Sequence, residues 1–280
     1  MNTQRDVFFT TIRQLYEKGN RDLIILTVDM GCKALNEFKN DENFLINVGP
    51  TEQLAIDMSI GLALKGRKPF VYGISSFIFA RAWEQIKLLC SLNLPVVIVG
   101  SGAALSYDLA GLTHHSIEML GLLRALPNMT IASISDLHLA QYFANLSVNF
   151  KTPLSICLDK HTVLKQNQIY ENGEFIIHRI GSFNNPLIIT TGVITHYLYD
   201  NLSEKYGLVE VFQFPYNKYH LMGMIGNRKV VSVEEGYKIG GLGDSLSFLP
   251  NVTKIGFDNF CEAKPREEYW KILLREALNA

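Results

Sequence analysis

Two α/β domains, each a mostly parallel sheet flanked by helices, are predicted by three observations. Compact apolar runs of strand length (FLINVG, PFVYGIS, NLPVVIVGS, NMTIASIS) alternate with stretches of helical periodicity. That is the order expected where helices cover both faces of a parallel sheet. The alternation stops in a polar, aperiodic stretch after Lys160 and restarts at Phe175, which reads as a linker between two cores. The chain of 280 residues, 48% hydrophobic and 19% charged, is long enough to fill both. The division expected is a first domain over 1–160, a linker over 161–174 and a smaller domain over 175–280. In such sheets, ligands sit beyond the carboxyl ends of the strands.

Val7, Phe8, Ile12, Leu15 and Tyr16 recur at helical spacing, and Gly19 with Asn20 closes that helix before the strand DLIILTVDMG. The stretch Asn47 to Leu64, NVGPTEQLAIDMSIGLAL, then reads strand, tight turn, acid, apolar helix. Pro50 supplies a fixed φ for helix entry. Leu54, Ile56, Met58, Ile60, Leu62 and Leu64 leave little polar face, so burial on most sides is expected. Glu52 opens this helix, where an acid gains roughly 0.3–1 kcal/mol from the macrodipole. Ile78 to Leu92 reads as one helix with Trp83, Ile86, Leu89 and Cys90 inward. A small-residue loop to His115 and the helix SIEMLGLLRAL follow. Asp136 is placed to cap a helix over Leu137 to Leu146, and TPLSICLDK is a strand. After the linker come PLIITTG, a helix HYLYDNLSEKY, LVEVFQF, RKVVSVEEG, a turn and helix KIGGLGDSLSFL, VTKIGF and a helix from Arg266 to Leu278.

A formal charge of −1 without long single-sign blocks argues against nucleic-acid binding. Cys32, Cys90, Cys157 and Cys261 are widely separated, with no metal-like spacing, and read as reduced thiols. MNTQRDVFF has no apolar signal core, and the apolar runs are far shorter than the ~20 residues of a membrane span. A cytoplasmic protein is expected.

With these residues laid out, the chain resembles the C-terminal half of a transketolase-type thiamine diphosphate enzyme, including the 1-deoxyxylulose-5-phosphate synthases. The likeness rests on VGPTEQLAIDMSIGLALKGRKPFV, FARAWEQI, PVVIVGS, GLTHHSIEMLGLLRALPNM and VVSVEEGYKIGGLG, in that order. It implies a pyrimidine-binding fold followed by a transketolase C-terminal domain. It also implies that Glu52 hydrogen-bonds N1′ of the cofactor's aminopyrimidine, a role that needs a carboxyl able to donate. Phe77, with Phe79 as the alternative, matches the aromatic that stacks on that ring. His114 matches the substrate-side histidine and His115 is the weaker match. Arg81, Arg124 and Lys160 are the candidates for a substrate phosphate, Lys160 as a point charge where the family has an arginine.

The departures bear on substrate and cofactor. The family acid that contacts the sugar hydroxyl is replaced by Ala110, and a phosphate-binding histidine by Gly102. Modified, branched or nucleotide-linked sugars then become candidates beside pentose phosphates. The family holds the cofactor diphosphate through Mg²⁺ with a GDG motif and a downstream Asn, neither of which this chain carries, and GLGDS near Gly243 reads as a turn. The resemblance therefore implies one subunit of a split transketolase. A separate N-terminal, diphosphate-binding subunit would hold diphosphate and Mg²⁺, in a heterotetramer that moves a two-carbon ketol unit between sugars. The alternatives are the β subunit of a 2-oxo acid dehydrogenase and a non-catalytic scaffold or regulatory subunit.

Overall fold

The structure is a computed structural model that describes residues 3–160, 170, 171 and 173–280. The chain divides into two compact units, Met1–Ala103 with Ala125–Leu164, and Ala104–Arg124 with Lys165–Ala280. Residues 104–124, which the sequence reading kept with the first domain, thus cluster with the second. Most of the expected linker, 161–169 and 172, lies outside the described residues.

In the first unit, α1 (Gln4–Glu17) opens on a capping box in which Thr3 and Asp6 satisfy each other's backbone amides. The strands are β1 (Leu23–Thr27), β2 (Leu45–Asn47), β3 (Lys68–Ile74), β4 (Val97–Ser101), β5 (Thr130–Ser133) and β6 (Leu154–Leu158). They lie in the order β5-β6-β4-β3-β1-β2 and pair parallel throughout. β1 and β4 are buried along their whole length, as strands covered on both faces must be. The helices include α2 (Glu52–Leu64), α3 (Ser75–Arg81), α4 (Trp83–Ser91) and, beyond α5 (Met119–Arg124) of the second unit, α6 (Leu137–Ser147). Asp136 caps α6 through Leu139 N–H at 2.8 Å.

Two local expectations change. The stretch from Ile78 to Leu92 is two helices, broken at Ala82 (φ −99°, ψ 24°). The cause is close packing of α3 on β4: a Cβ at Gly100 would lie 2.7 Å from the Phe79 ring, so α3 is held flat against the strand before the chain turns into α4. α2 is also less covered than its composition suggests. Gln53, Leu54, Asp57, Gly61 and Leu64 face outward, and Leu88 and Leu92 of α4 are exposed too.

The second unit holds β7 (Tyr170–Glu171), β8 (Phe175–Arg179), β9 (Leu187–Thr190), α7 (Ile194–Asn201), β10 (Gly207–Val211), β11 (Gln213–Phe214), α8 (Lys218–Ile225), β12 (Val230–Tyr237), α9 (Leu242–Ser245), β13 (Val252–Phe257) and α10 (Arg266–Asn279). Its sheet runs β13-β12-β9-β10-β8-β7, parallel from β13 to β10 and antiparallel at the β8 and β7 edge. The apolar runs did not single out that edge. α10 buries Arg266, Tyr269, Trp270, Leu273 and Ala277, one face at helical spacing, and packs against β12, β13 and α7. α5 packs on β12. No helix among the described residues is long and apolar enough to cross a membrane.

Candidate functional site

The carboxyl ends of β1, β2 and β3 build the first cluster. The Asn47 side-chain oxygen accepts from the N–H groups of Asp29 (3.1 Å) and Gly49 (3.0 Å), tying the turn after β2 to the end of β1. Gly49 adopts φ +72°, which a side chain disfavours. The Thr51 hydroxyl turns back to Val48 O at 2.8 Å and caps nothing, so α2 opens directly on Glu52. The Glu52 carboxylate is buried, with 6% of the residue exposed. Arg81, at the end of α3, donates from Nη1 to Glu52 Oε1 at 2.8 Å, and its guanidinium carbon stands 4.1 Å from the Phe77 ring centroid.

Acid, guanidinium and aromatic are therefore in one place, although 29 residues separate Glu52 from Arg81 in sequence. Phe77 is half-buried. Phe79 is fully buried against Gly100 and is spent on packing. Lys160 is exposed just beyond β6. Gly102, at φ +91°, donates to Leu158 O at 2.8 Å.

The histidines belong to the second unit. A single turn of 3₁₀ helix, Asp108–Ala110, leads into Gly111 (φ +73°), whose carbonyl accepts from both His114 N–H (2.9 Å) and His115 N–H (3.1 Å). His114 is half-buried, edge-on to Tyr107 with ring centroids 5.8 Å apart, and its Nδ1 lies 3.0 Å from the Thr113 hydroxyl. When Thr113 donates to Nδ1, the ring proton resides on Nε2, the tautomer that donates outward. His115 is 2% exposed and its Nε2 donates to Asp108 O at 3.0 Å, so its ring serves the loop. Ala110, where the family acid is missing, is exposed. Two residues before it, the Asp108 carboxylate is engaged by backbone amides, Oδ1 accepting from Leu109 N–H and Oδ2 from Arg266 N–H.

Arg124, a phosphate candidate from sequence, is engaged within the second unit. Its Nη1 donates to Gly240 O and, at 2.7 Å, to Gly241 O. Those glycines form the GGLG turn, and Glu234 accepts from Leu242 N–H (2.7 Å) and Gly243 N–H (2.9 Å) beneath it. Burial pushes the Glu234 carboxyl up to about 7 against the pull of those two amides. A Cβ on Gly241 would run into the Glu234 carboxylate, and one on Gly240 into Gly121. The motif is thus a packing device. Sequence reading missed Asn47, Asp108 and Glu234 as organisers; the signal for Asn47 is a polar residue ending an apolar strand just before a glycine.

Residues 3–165 match the family described as "Transketolase, pyrimidine binding domain". The chain belongs to the transketolase family. Among its relatives, one subunit of the apulose-4-phosphate transketolase of Phocaeicola vulgatus is 28% identical over 272 residues, 90% of this chain and 86% of that protein. The subunit of the same name from Actinobacillus succinogenes is 30% identical, over 82% of this chain and 78% of its own length. The 1-deoxy-D-xylulose-5-phosphate synthase of Clostridium tetani is 27% identical over 87% of this chain, which spans 41% of that protein. In fold, the chain is similar to a structure titled "Split gene transketolase, inactive beta4 tetramer", with a TM-score of 0.82 and 21% identity over 99% of this chain and 96% of that one. The mostly parallel two-sheet architecture is that of transketolases. Among the described residues, no group of three or more His, Cys, Asp or Glu side chains is arranged to hold a metal ion.

Proposed function

We propose that this chain is the pyrimidine-binding subunit of a split transketolase, transferring a two-carbon ketol unit from a ketose to an aldehyde. The observation that carries the reading is the buried Glu52 carboxylate at the head of α2, with Phe77 beside it through Arg81. Two relatives of nearly the same extent are each named as one subunit of a transketolase. Thiamine diphosphate, when bound, supplies the carbon that carries the two-carbon unit.

The residues fit the aminopyrimidine end of that cofactor. Glu52 offers its carboxyl to N1′ as a hydrogen-bond partner once Arg81 gives way, and Phe77 offers a ring face for stacking. The chain does not fit the other end, having no GDG motif and no metal-ligating cluster among the described residues. Diphosphate and Mg²⁺ fall to a second subunit, in a heterotetramer of two copies of each chain. The outward leucines Leu54, Leu64, Leu88 and Leu92 then serve its interfaces. His114 donates to the sugar oxygens, while Arg81 and Lys160 attract a phosphate. A sugar contact absent at Ala110 favours a donor other than the usual pentose phosphates. The sugar phosphate in the names of those two relatives, apulose 4-phosphate, is the first donor to test.

The test is co-purification with a GDG-bearing subunit, followed by titration with thiamine diphosphate and Mg²⁺ and a ketose-phosphate screen, with Glu52→Gln as control. Metal-dependent binding by the complex and by neither chain alone, with transfer lost in Glu52→Gln, is the expected result. Failure to associate, or turnover indifferent to Glu52, points to a scaffold. Oxidative decarboxylation of a 2-oxo acid points to a dehydrogenase subunit.

A further inference from the structure

We propose that Asp108 is a positioning residue for His114, and that the N-terminus of α10 is the fixed point from which it acts. The inference rests on the reading of His114 as the substrate-side donor, and every contact it uses lies within the second unit.

The first amides of a helix have no partners inside it, and α10 begins after Pro265, whose side chain has no acceptor. Asp108 supplies one from 158 residues away, its Oδ2 accepting from Arg266 N–H at 3.1 Å. A carboxylate at that helix end is favoured by the dipole as well. The receiving end is rigid. The Arg266 guanidinium lies on the Glu235 carboxylate through two nitrogens, and Trp270 Nε1 donates to Glu235 Oε1 at 2.9 Å. Arg266 and Glu235 are both more than nine-tenths buried.

From Asp108 the constraint passes to the histidine turn by two routes. Its carbonyl accepts from His115 Nε2, and His115 has no other ring hydrogen bond among the described residues, since its buried Nδ1 makes none. The other route is through the backbone. The 3₁₀ turn that Asp108 starts delivers Gly111, whose missing Cβ would sit 3.2 Å from Ala263 Cβ, just before α10, and whose carbonyl holds His114 N–H and His115 N–H. Ser116 N–H, bonded to Ala104 O at 2.9 Å, closes the far side. His114 is bracketed by a pinned ring on one side and a pinned carbonyl on the other. Its own ring meets Tyr107 edge-on and Thr113 at Nδ1, and both of those residues belong to the same loop. The turn thus holds His114 at its backbone and at Nδ1, and Asp108 holds the turn.

The experiment is NMR of the full chain labelled with ¹³C,¹⁵N-histidine, with His114→Gln to assign the His114 signals. Asp108→Ala is expected to move the ring ¹⁵N signals of His114 and His115 and leave the other histidines in place. Asp108→Asn is expected to restore them, because its amide oxygen still accepts from Arg266 N–H. Asp108→Glu, which shifts the carboxylate by one methylene, is the second disrupting variant should the alanine chain not fold. Unmoved His114 signals in the disrupting variant, or an asparagine variant as perturbed as it, overturns the proposal. In the enzyme reconstituted with its diphosphate-binding subunit, the disrupting variant is expected to lower kcat about ten-fold with KM nearly unchanged, as a small misplacement of a reacting group does. That loss should vanish in the His114→Gln background; a second loss of equal size overturns the proposal. If His114→Gln itself leaves turnover intact, the role of His114 falls, while the NMR comparison still decides whether Asp108 sets its ring.

Discussion

Arg81 donates to Glu52 across 2.8 Å, joining the end of α3 to the first residue of α2. The pair is lopsided, with 52% of the Arg81 side chain exposed against 8% for Glu52. A buried carboxylate thus meets a cation that can swing away into solvent. The guanidinium also lies over Phe77, so one movement of Arg81 uncovers both the acid and the ring.

Replacing Glu52 by Gln keeps shape and removes the acid. Ketol transfer is expected to fall by at least about a hundred-fold, with assembly intact and cofactor affinity changed only modestly, because the amide still fills the same space. Activity, co-purification and cofactor titration on one preparation check this.

Arg81→Met bears on both stability and function. Only the Arg81 end of the pair is exposed, and its removal leaves the buried Glu52 carboxylate without that donor, so a cost of about 1–3 kcal/mol and a fall of several degrees in melting temperature are expected. KM for a phosphorylated donor is expected to rise several-fold while cofactor affinity holds. A collapse of cofactor affinity would make Arg81 a cofactor contact instead.

Glu234 gives a pH dependence of stability. Its carboxyl is pushed up to about 7 by burial from an ordinary 4.5, so between those values the folded chain binds the proton that the unfolded chain has released. Stability from this group is complete below about 4.5 and is lost as pH rises through about 7, an effect on the order of 3 kcal/mol. Denaturant unfolding on either side of that window should show the loss, and Glu234→Gln should flatten it.

Gly241→Ala tests the packing account of the GGLG turn. Gly241 has φ −74°, open to alanine, so strain in the backbone is not at issue. The added methyl meets the Glu234 carboxylate and the Tyr237 carbonyl, and a cost of about 1–3 kcal/mol or more is expected in the melting of the chain.

The sheets were legible because buried parallel strands write themselves as short apolar runs, and β1, β3, β4 and β6 coincide with such runs. Glu52 was legible because its neighbours form a recognisable turn and helix. The break at Ala82 was not, since the helical period continues across it and the cause is the bare backbone of Gly100 on another strand. The pairing of Arg81 with Glu52 was not legible either, because nothing local announces a partner 29 residues back. The same holds for Arg124, whose acceptors are carbonyls 116 and 117 residues away. The β8 edge went unread for another reason: FIIHR ends in two polar residues and its pairing is antiparallel, so neither its length nor its setting resembles the other strands.

The tie between Asp108 and Arg266 also sets a clock on the nascent chain. The helix amide is synthesised 158 residues after the carboxylate that accepts from it. At about 5–20 residues per second, roughly 8–30 s pass on the ribosome before the two can meet. Through that interval, the Glu52 cluster already has every residue it needs, while the histidine turn lacks its anchor. Translation therefore delivers Glu52, Phe77 and Arg81 before the anchor of the histidine turn, and the contact between Asp108 and the first amide of α10 forms only after α10 emerges.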